Sequence, residues 1–92
     1  MFEWDDAKDR ANEAKHGVDF ATATLAFDDP RKVIVEAESR AGETRYFCLG
    51  KVGDRVLTVR FTIRGGRYRI FGAAYYRKEA KFYEKVNAKN AD

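Results

Sequence analysis

Several residue types are nearly missing from this chain. Its 92 residues include one cysteine, one histidine, one proline and one tryptophan. The lone Cys48 cannot close an internal disulfide, and one cysteine with one histidine falls short of a zinc-ligand set. No apolar run approaches the ~18 residues that a bilayer span needs, so helical membrane proteins are excluded. A single proline among 13 aromatics also excludes collagen-like and solvated, core-less chains. The opening residues, Met1-Phe2-Glu3-Trp4-Asp5-Asp6, are acidic where a secretory signal is basic and then apolar. A cytoplasmic protein is therefore expected, with no membrane partner.

What is present is a core and an uneven charge. At 45% hydrophobic and 36% charged residues, the chain reads as one domain spanning 1–92. The net charge of +3 hides a division at Glu43: residues 1–43 carry 6 Lys/Arg against 11 Asp/Glu, whereas residues 44–92 carry 12 against 4. An acidic half of net −5 is thus joined to a basic half of net +8. Such asymmetry points to a polyanionic partner or to a match between the two halves.

The pattern predicts an α+β domain with two N-terminal helices, about four antiparallel strands, and a C-terminal helix. Phe2 to Trp4 suits a short strand. Asp5 to His16 reads as a helix with acids at its start, Lys15 and His16 in its last turn and Gly17 to end it. A second helix fits Asp19 to Phe27, with Asp19 as its cap, and Asp28-Asp29-Pro30 stops it. Strands follow at Lys32–Ala37, Thr44–Lys51, Arg55–Arg64 and Arg67–Ala73, and a helix at Arg77–Asn87. All helices are expected on one face of the sheet.

Gly65-Gly66 links the last two strands as a two-residue hairpin turn, which fixes their register. Arg64 falls opposite Arg67, Thr62 opposite Arg69, Arg60 opposite Phe71 and Val59 opposite Gly72. One face then collects Leu57, Val59, Phe61, Ile63, Tyr68 and Ile70. The other collects Arg60, Thr62, Arg64, Arg67 and Arg69. Like charges facing each other across a sheet repel, so this face calls for anions, and a guanidinium fork matches phosphate. The alternative is that Glu36, Glu38 or Glu43 lies beside these arginines and neutralises them.

Tyr75-Tyr76-Arg77-Lys78 sets aromatics beside cations, which suits stacking on unpaired bases; either tyrosine also suits the core. Lys78, Lys81, Lys85 and Lys89 recur along one side of the last helix, while Ala80, Tyr83 and Val86 recur for burial. His16 reads as a helix-end residue rather than a general base, Trp4 as core, and Cys48 as an inert buried thiol. Asp28-Asp29 reads as a turn, not a metal site. Catalysis on these residues would be metal-independent and free of cofactors. An RNA 2′-hydroxyl attacks its own neighbouring phosphate once oriented, and arginine stabilises the charge that develops.

Phe2-Glu3-Trp4-Asp5, Lys8, Asn12, Lys15-His16-Gly17-Val18, Phe20 and Phe27-Asp28-Asp29-Pro30 resemble the N-terminal signature of the BrnT toxins of type II toxin-antitoxin systems. Arg45-Tyr46, Gly50, Thr62, Arg64-Gly65 and Arg67-Tyr68-Arg69-Ile70 look like the same family, so the resemblance spans nearly the whole chain. It implies a RelE-like fold and a metal-independent ribonuclease that arrests growth by cutting RNA. It also implies a BrnA-like ribbon-helix-helix antitoxin, through whose complex alone operator DNA is bound.

By the same resemblance Arg64, Arg67 and Arg69 take phosphate positioning and charge stabilisation. Arg60, Tyr75, Tyr76, Lys78 and Lys81 join them as candidate RNA contacts. Many members follow the last strand with Ser-Ala-Arg. Here the stretch is Gly72-Ala73-Ala74-Tyr75-Tyr76-Arg77, and Arg77 is the nearest substitute for that catalytic arginine. Two other readings stay open: a non-catalytic RNA-binding module, and a degenerate toxin serving as an antitoxin-bound co-repressor.

Overall fold

The computed structural model describes residues 1–90. Strand β1 (Phe2–Glu3) leads into helix α1 (Asp6–His16), the short helix α2 (Phe20–Ala23) and a 3-10 turn over Thr24–Asp28. Strands β2 (Val33–Arg40), β3 (Glu43–Val52), β4 (Arg55–Arg64) and β5 (Arg67–Ala74) follow, and helix α3 (Arg77–Asn90) ends the described chain. Local chemistry accounts for the helix ends. The Asp5 carboxylate accepts from the Lys8 N–H at 3.0 Å, and Gly17 closes α1 in the left-handed region at φ 73°. Asp19 caps α2 through the Thr22 N–H at 2.7 Å. Asp9 accepts from the Phe20 N–H at 2.8 Å, which ties the two helices together. The expected single helix from Asp19 to Phe27 is instead α2 followed by the tighter 3-10 turn.

The sheet has five strands in the order β1-β5-β4-β3-β2, not four, and it is not wholly antiparallel. β1 precedes the helices and runs parallel to β5, with Phe2 beside Tyr68 and Glu3 beside Arg69. A two-residue strand is too short to show a period of two, which is why its place in the sheet escaped the sequence pattern. A hydrogen bond from the Tyr68 N–H to the Met1 carbonyl, 2.8 Å, helps to hold it. Beyond β1 the outer edge of β5 is covered by α1. The buried Asn12 side chain there accepts from the Ala73 N–H and donates to the Ala73 carbonyl, at 3.2 and 2.8 Å, standing in for a strand.

Helices cover both faces of the sheet, correcting the expectation of one. On the first face α2 and the 3-10 turn press Phe20, Ala23 and Ala26 onto Cys48, Leu57, Val59, Phe61 and Ile70. Complete burial of a side chain such as Phe20 or Leu57 contributes about 1.5–3 kcal/mol. Phe2, Phe27, Phe61 and Tyr68 form an aromatic cluster there, with ring centroids 5.0–5.6 Å apart. Burial pushes the Cys48 thiol up to about 12, so it stays protonated. On the second face α3 sets Tyr83 and Ala80 over Leu49, Val56, Val33, Val35 and Phe47. These positions alternate with the first set along β3 and β4, so each strand supplies both cores.

The β4–β5 hairpin turns at Gly65 and Gly66, whose φ angles are 55° and 77°. Its register agrees with the sequence reading from Arg64↔Arg67 down to Phe61↔Ile70. A bulge then intervenes, so Arg60 faces Gly72 rather than Phe71, and Val59 faces Ala73 rather than Gly72.

Gly50 lets the 3-10 turn approach the sheet: an added Cβ would lie 2.1 Å from the Ala26 carbonyl oxygen. Gly50→Ala is expected to cost about 2–3 kcal/mol, since backbone on both sides must move. Urea denaturation should show it as a lower midpoint at an unchanged m-value.

Candidate nucleic-acid interface

Four arginines lie on one face of the hairpin, as the register predicts, but three are engaged by carboxylates. Glu43 holds Arg64 through two contacts, Nε to Oε2 at 2.6 Å and Nη2 to Oε1 at 3.1 Å. Glu3 faces Arg69 at 3.2 Å and Arg67 at 3.8 Å. The hydrogen bond from Arg64 holds the Glu43 carboxyl below its ordinary range, and Glu43 in turn raises Arg64. Of the acids expected to neutralise this face, Glu43 does so. Glu38 instead approaches Arg40 at 3.9 Å. Glu3 was not foreseen, because only the parallel pairing of β1 with β5 brings it beside Arg69. These pairs are partly open to water, which weakens them, so phosphate oxygens can compete with the carboxylates.

The bulge builds a second cluster deeper on the same face. It sets Phe71 and Gly72 together opposite Arg60, whose guanidinium lies across Gly72. The Arg60 guanidinium carbon is 5.5 Å from the Phe71 ring centre, and that of Arg45 from β3 is 4.7 Å from it. Neither arginine forms an ion pair among the described residues, and the Arg45 Nε is buried without a hydrogen-bond partner. Lys8 of α1 borders a hollow that Arg45 and Phe71 share with Glu43, Arg64 and Arg69. Arg45 and Phe71 had not been counted as site residues. Extending the register one strand further, with Phe47 opposite Arg60, would have placed Arg45 on this face.

The start of α3 separates the remaining candidates. Tyr75 packs against the first core, and its ring is covered by Arg55 at 4.0 Å. Tyr76 is 41% exposed, its ring edge-on to His16 at 6.3 Å, and borders a hollow with Phe47, Thr58, Arg60 and Glu79. Arg77 lies with Asp54, Arg55 and Glu84 around a different hollow. From Arg67 to Ala74 the strand rises roughly 20 Å at about 3.3 Å per residue, so Arg77 does not join the hairpin-tip arginines. Lys78 borders an apolar hollow with Val35, Phe47, Leu49 and Phe82, and Lys81 is exposed.

Asp29 is the link that holds α3 in place. Its carboxylate accepts from the Arg31 N–H at 2.8 Å, the Lys51 N–H at 2.7 Å and the Tyr83 hydroxyl at 2.6 Å. Burial raises the Asp29 carboxyl, but these hydrogen bonds and the Lys51 charge outweigh it and leave the pKa lowered. Burial, then Asp29 itself, push the Tyr83 phenol up to about 12. A lowered carboxylate pKa contributes stability above its unfolded value and loses it as pH falls through the folded value. Asp29→Asn should therefore cost about 1–2 kcal/mol at neutral pH. The gap to the parent should close as the pH drops below the ordinary value of 3.8, read from denaturation midpoints across pH.

No helix among the described residues is long and apolar enough to cross a membrane. Comparison with curated proteins finds no match. The family model described as "Ribonuclease toxin, BrnT, of type II toxin-antitoxin system" matches residues 4–79. That span runs from Trp4 through the arginine hairpin to Glu79 in the first turn of α3, and with most of the chain so matched, the protein belongs to the BrnT family of ribonuclease toxins.

Proposed function

We propose that the protein is a metal-independent endoribonuclease that binds the RNA backbone on the arginine face. The observation that carries this reading is the pair of guanidinium groups, Arg45 and Arg60, drawn to one aromatic ring without a direct ion pair among the described residues. Two cations held close on a half-buried surface favour an anion between them, and two forks of donors suit a phosphodiester. Arg64, Arg67 and Arg69 exchange Glu43 and Glu3 for neighbouring phosphates. Arg77, Lys78 and Lys81 take the strand further along, beyond Tyr76. Among the described residues, Glu3 and Glu43 on this face are both paired with arginines.

The chemistry then belongs largely to the RNA. Its 2′-hydroxyl oxygen bonds to the adjacent phosphorus as the bond to the 5′ oxygen breaks. The hydroxyl proton leaves, a proton reaches the departing oxygen, and a 2′,3′-cyclic phosphate and a 5′-hydroxyl result. The arginines align the backbone and stabilise the extra charge on the pentacoordinate phosphorus. In the cell, a BrnA-like ribbon-helix-helix antitoxin neutralises this activity and carries the complex to operator DNA. A second reading, an RNA-binding module without cleavage, is favoured by the carboxylates already on Arg64, Arg67 and Arg69.

Incubation of the purified protein with single-stranded RNA in EDTA separates the two. Cleavage is expected, with Arg45→Ala and Arg60→Ala each lowering kcat/KM by about 10²–10³-fold. Binding that persists without cleavage in the parent protein would establish the module instead. RNA affinity should also fall steeply with salt, as phosphate contacts demand. Induced expression should arrest growth, and co-expression of the antitoxin should restore it. Unaffected growth with the protein present at normal levels would overturn the toxin role.

A further inference from the structure

The hollow beside Tyr76 has chemistry that phosphate binding does not use. It lies between β3, β4 and the first turn of α3, has a volume of about 240 Å³, and is lined by Phe47, Thr58, Arg60, Tyr76 and Glu79. Drug-sized sites begin near about 300 Å³, so this one suits a single planar ring system. Phe47 and the exposed Tyr76 ring supply aromatic surfaces. Thr58 is only 2% exposed, and its buried hydroxyl has no hydrogen-bond partner among the described residues. Buried hydroxyls are rarely left so. Glu79 forms no ion pair among the described residues and sits in the first turn of α3, where the helix dipole favours its charge.

The polar groups select among bases. A carboxylate only accepts and a guanidinium only donates. The base that fits therefore presents adjacent donors to Glu79 and a carbonyl or ring-nitrogen acceptor to Arg60. Guanine does both, with N1–H and the 2-amino group on one edge and O6 and N7 on the other. Uracil flanks its single donor with carbonyls that repel a carboxylate, and the N1 of adenine and the N3 of cytosine do the same. We propose that this hollow is a guanine-selective base pocket. Arg60 serves both the pocket and the Phe71 cluster, so a guanine seated here brings its own phosphate onto Arg45 and Arg60. The consequence for cleavage rests on the ribonuclease reading: the cut falls next to guanine.

Base binding can be read without cleavage. In an NMR titration of the ¹⁵N-labelled chain, GMP should shift the amides of Phe47, Thr58 and Glu79 saturably. AMP, UMP and IMP, which lacks the 2-amino group, should bind about tenfold more weakly. Glu79→Gln should cut GMP affinity about tenfold and leave AMP unchanged. Equal responses to all four nucleotides, or GMP shifts confined to the hairpin tip, would overturn the pocket. RNA cut without preference for guanine, equally in parent and Glu79→Gln, would overturn it while leaving the ribonuclease standing. GMP seated in the pocket of a protein that cuts no RNA would do the reverse.

Discussion

A sheet has two faces to cover, and this chain has only α3 for the second. The first face is closed by α2 and the 3-10 turn, brought close enough by Gly50 for backbone to lie against backbone. On the second, α3 covers the β2 and β3 side and the base of β4. The rest of that face, towards the hairpin tip, meets water, and its outward positions must be polar to tolerate it. Arginine meets that demand while keeping a binding capacity, because its aliphatic stem lies on the sheet and its head remains available. Incomplete coverage by helices is thus what creates the candidate interface.

Two local features give this uncovered surface its shape. The bulge at Phe71 breaks the strict alternation of β5, so an aromatic ring and a bare glycine share the space opposite Arg60. A regular strand would have paired Arg60 with Phe71 alone and removed the gap in which the guanidinium lies. Asp29 sets the other boundary. Its bonds to the Lys51 N–H and the Tyr83 hydroxyl join the end of the 3-10 turn to β3 and to the middle of α3. The first turn of α3, with Tyr76 just before it and Glu79 within it, is positioned against the sheet through that link.

Much of this was legible in the sequence, for physical reasons that differ by element. The Gly65-Gly66 turn leaves little freedom of register, so the sequence alone sets Arg64 opposite Arg67. Asp19 and Gly17 are residue types whose capping chemistry is local, and each caps where expected, while Asp5, read as the first residue of its helix, is instead its N-cap. Glu3, Arg45 and Glu79 were not legible as site residues, because each reaches its place through a contact between distant segments. Arg69 is 66 residues from Glu3, and no periodicity connects them. Phe71 was misplaced because a bulge has no pattern of its own; the following Gly72 was its one sign. The family resemblance supplied what neither pattern nor charge contains, the expectation of RNA as the substrate class, and the match over residues 4–79 upholds the family.

The charge division at Glu43 takes on a structural meaning in this light. The acidic half does not simply balance the basic half, since Glu3 and Glu43 are the carboxylates of that half paired with the hairpin arginines. Those pairs limit repulsion among Arg64, Arg67 and Arg69. Being partly open to water, they are also weakened by solvent. Arg45 and Arg60 form no direct ion pair among the described residues and lie over the Phe71 ring, although Glu43 is near enough to feel the Arg45 charge. On the proposed reading, a backbone arriving from solution would meet the carboxylate-paired arginines at the edge and Arg45 and Arg60 further in, beside the hollow that Tyr76 and Glu79 line.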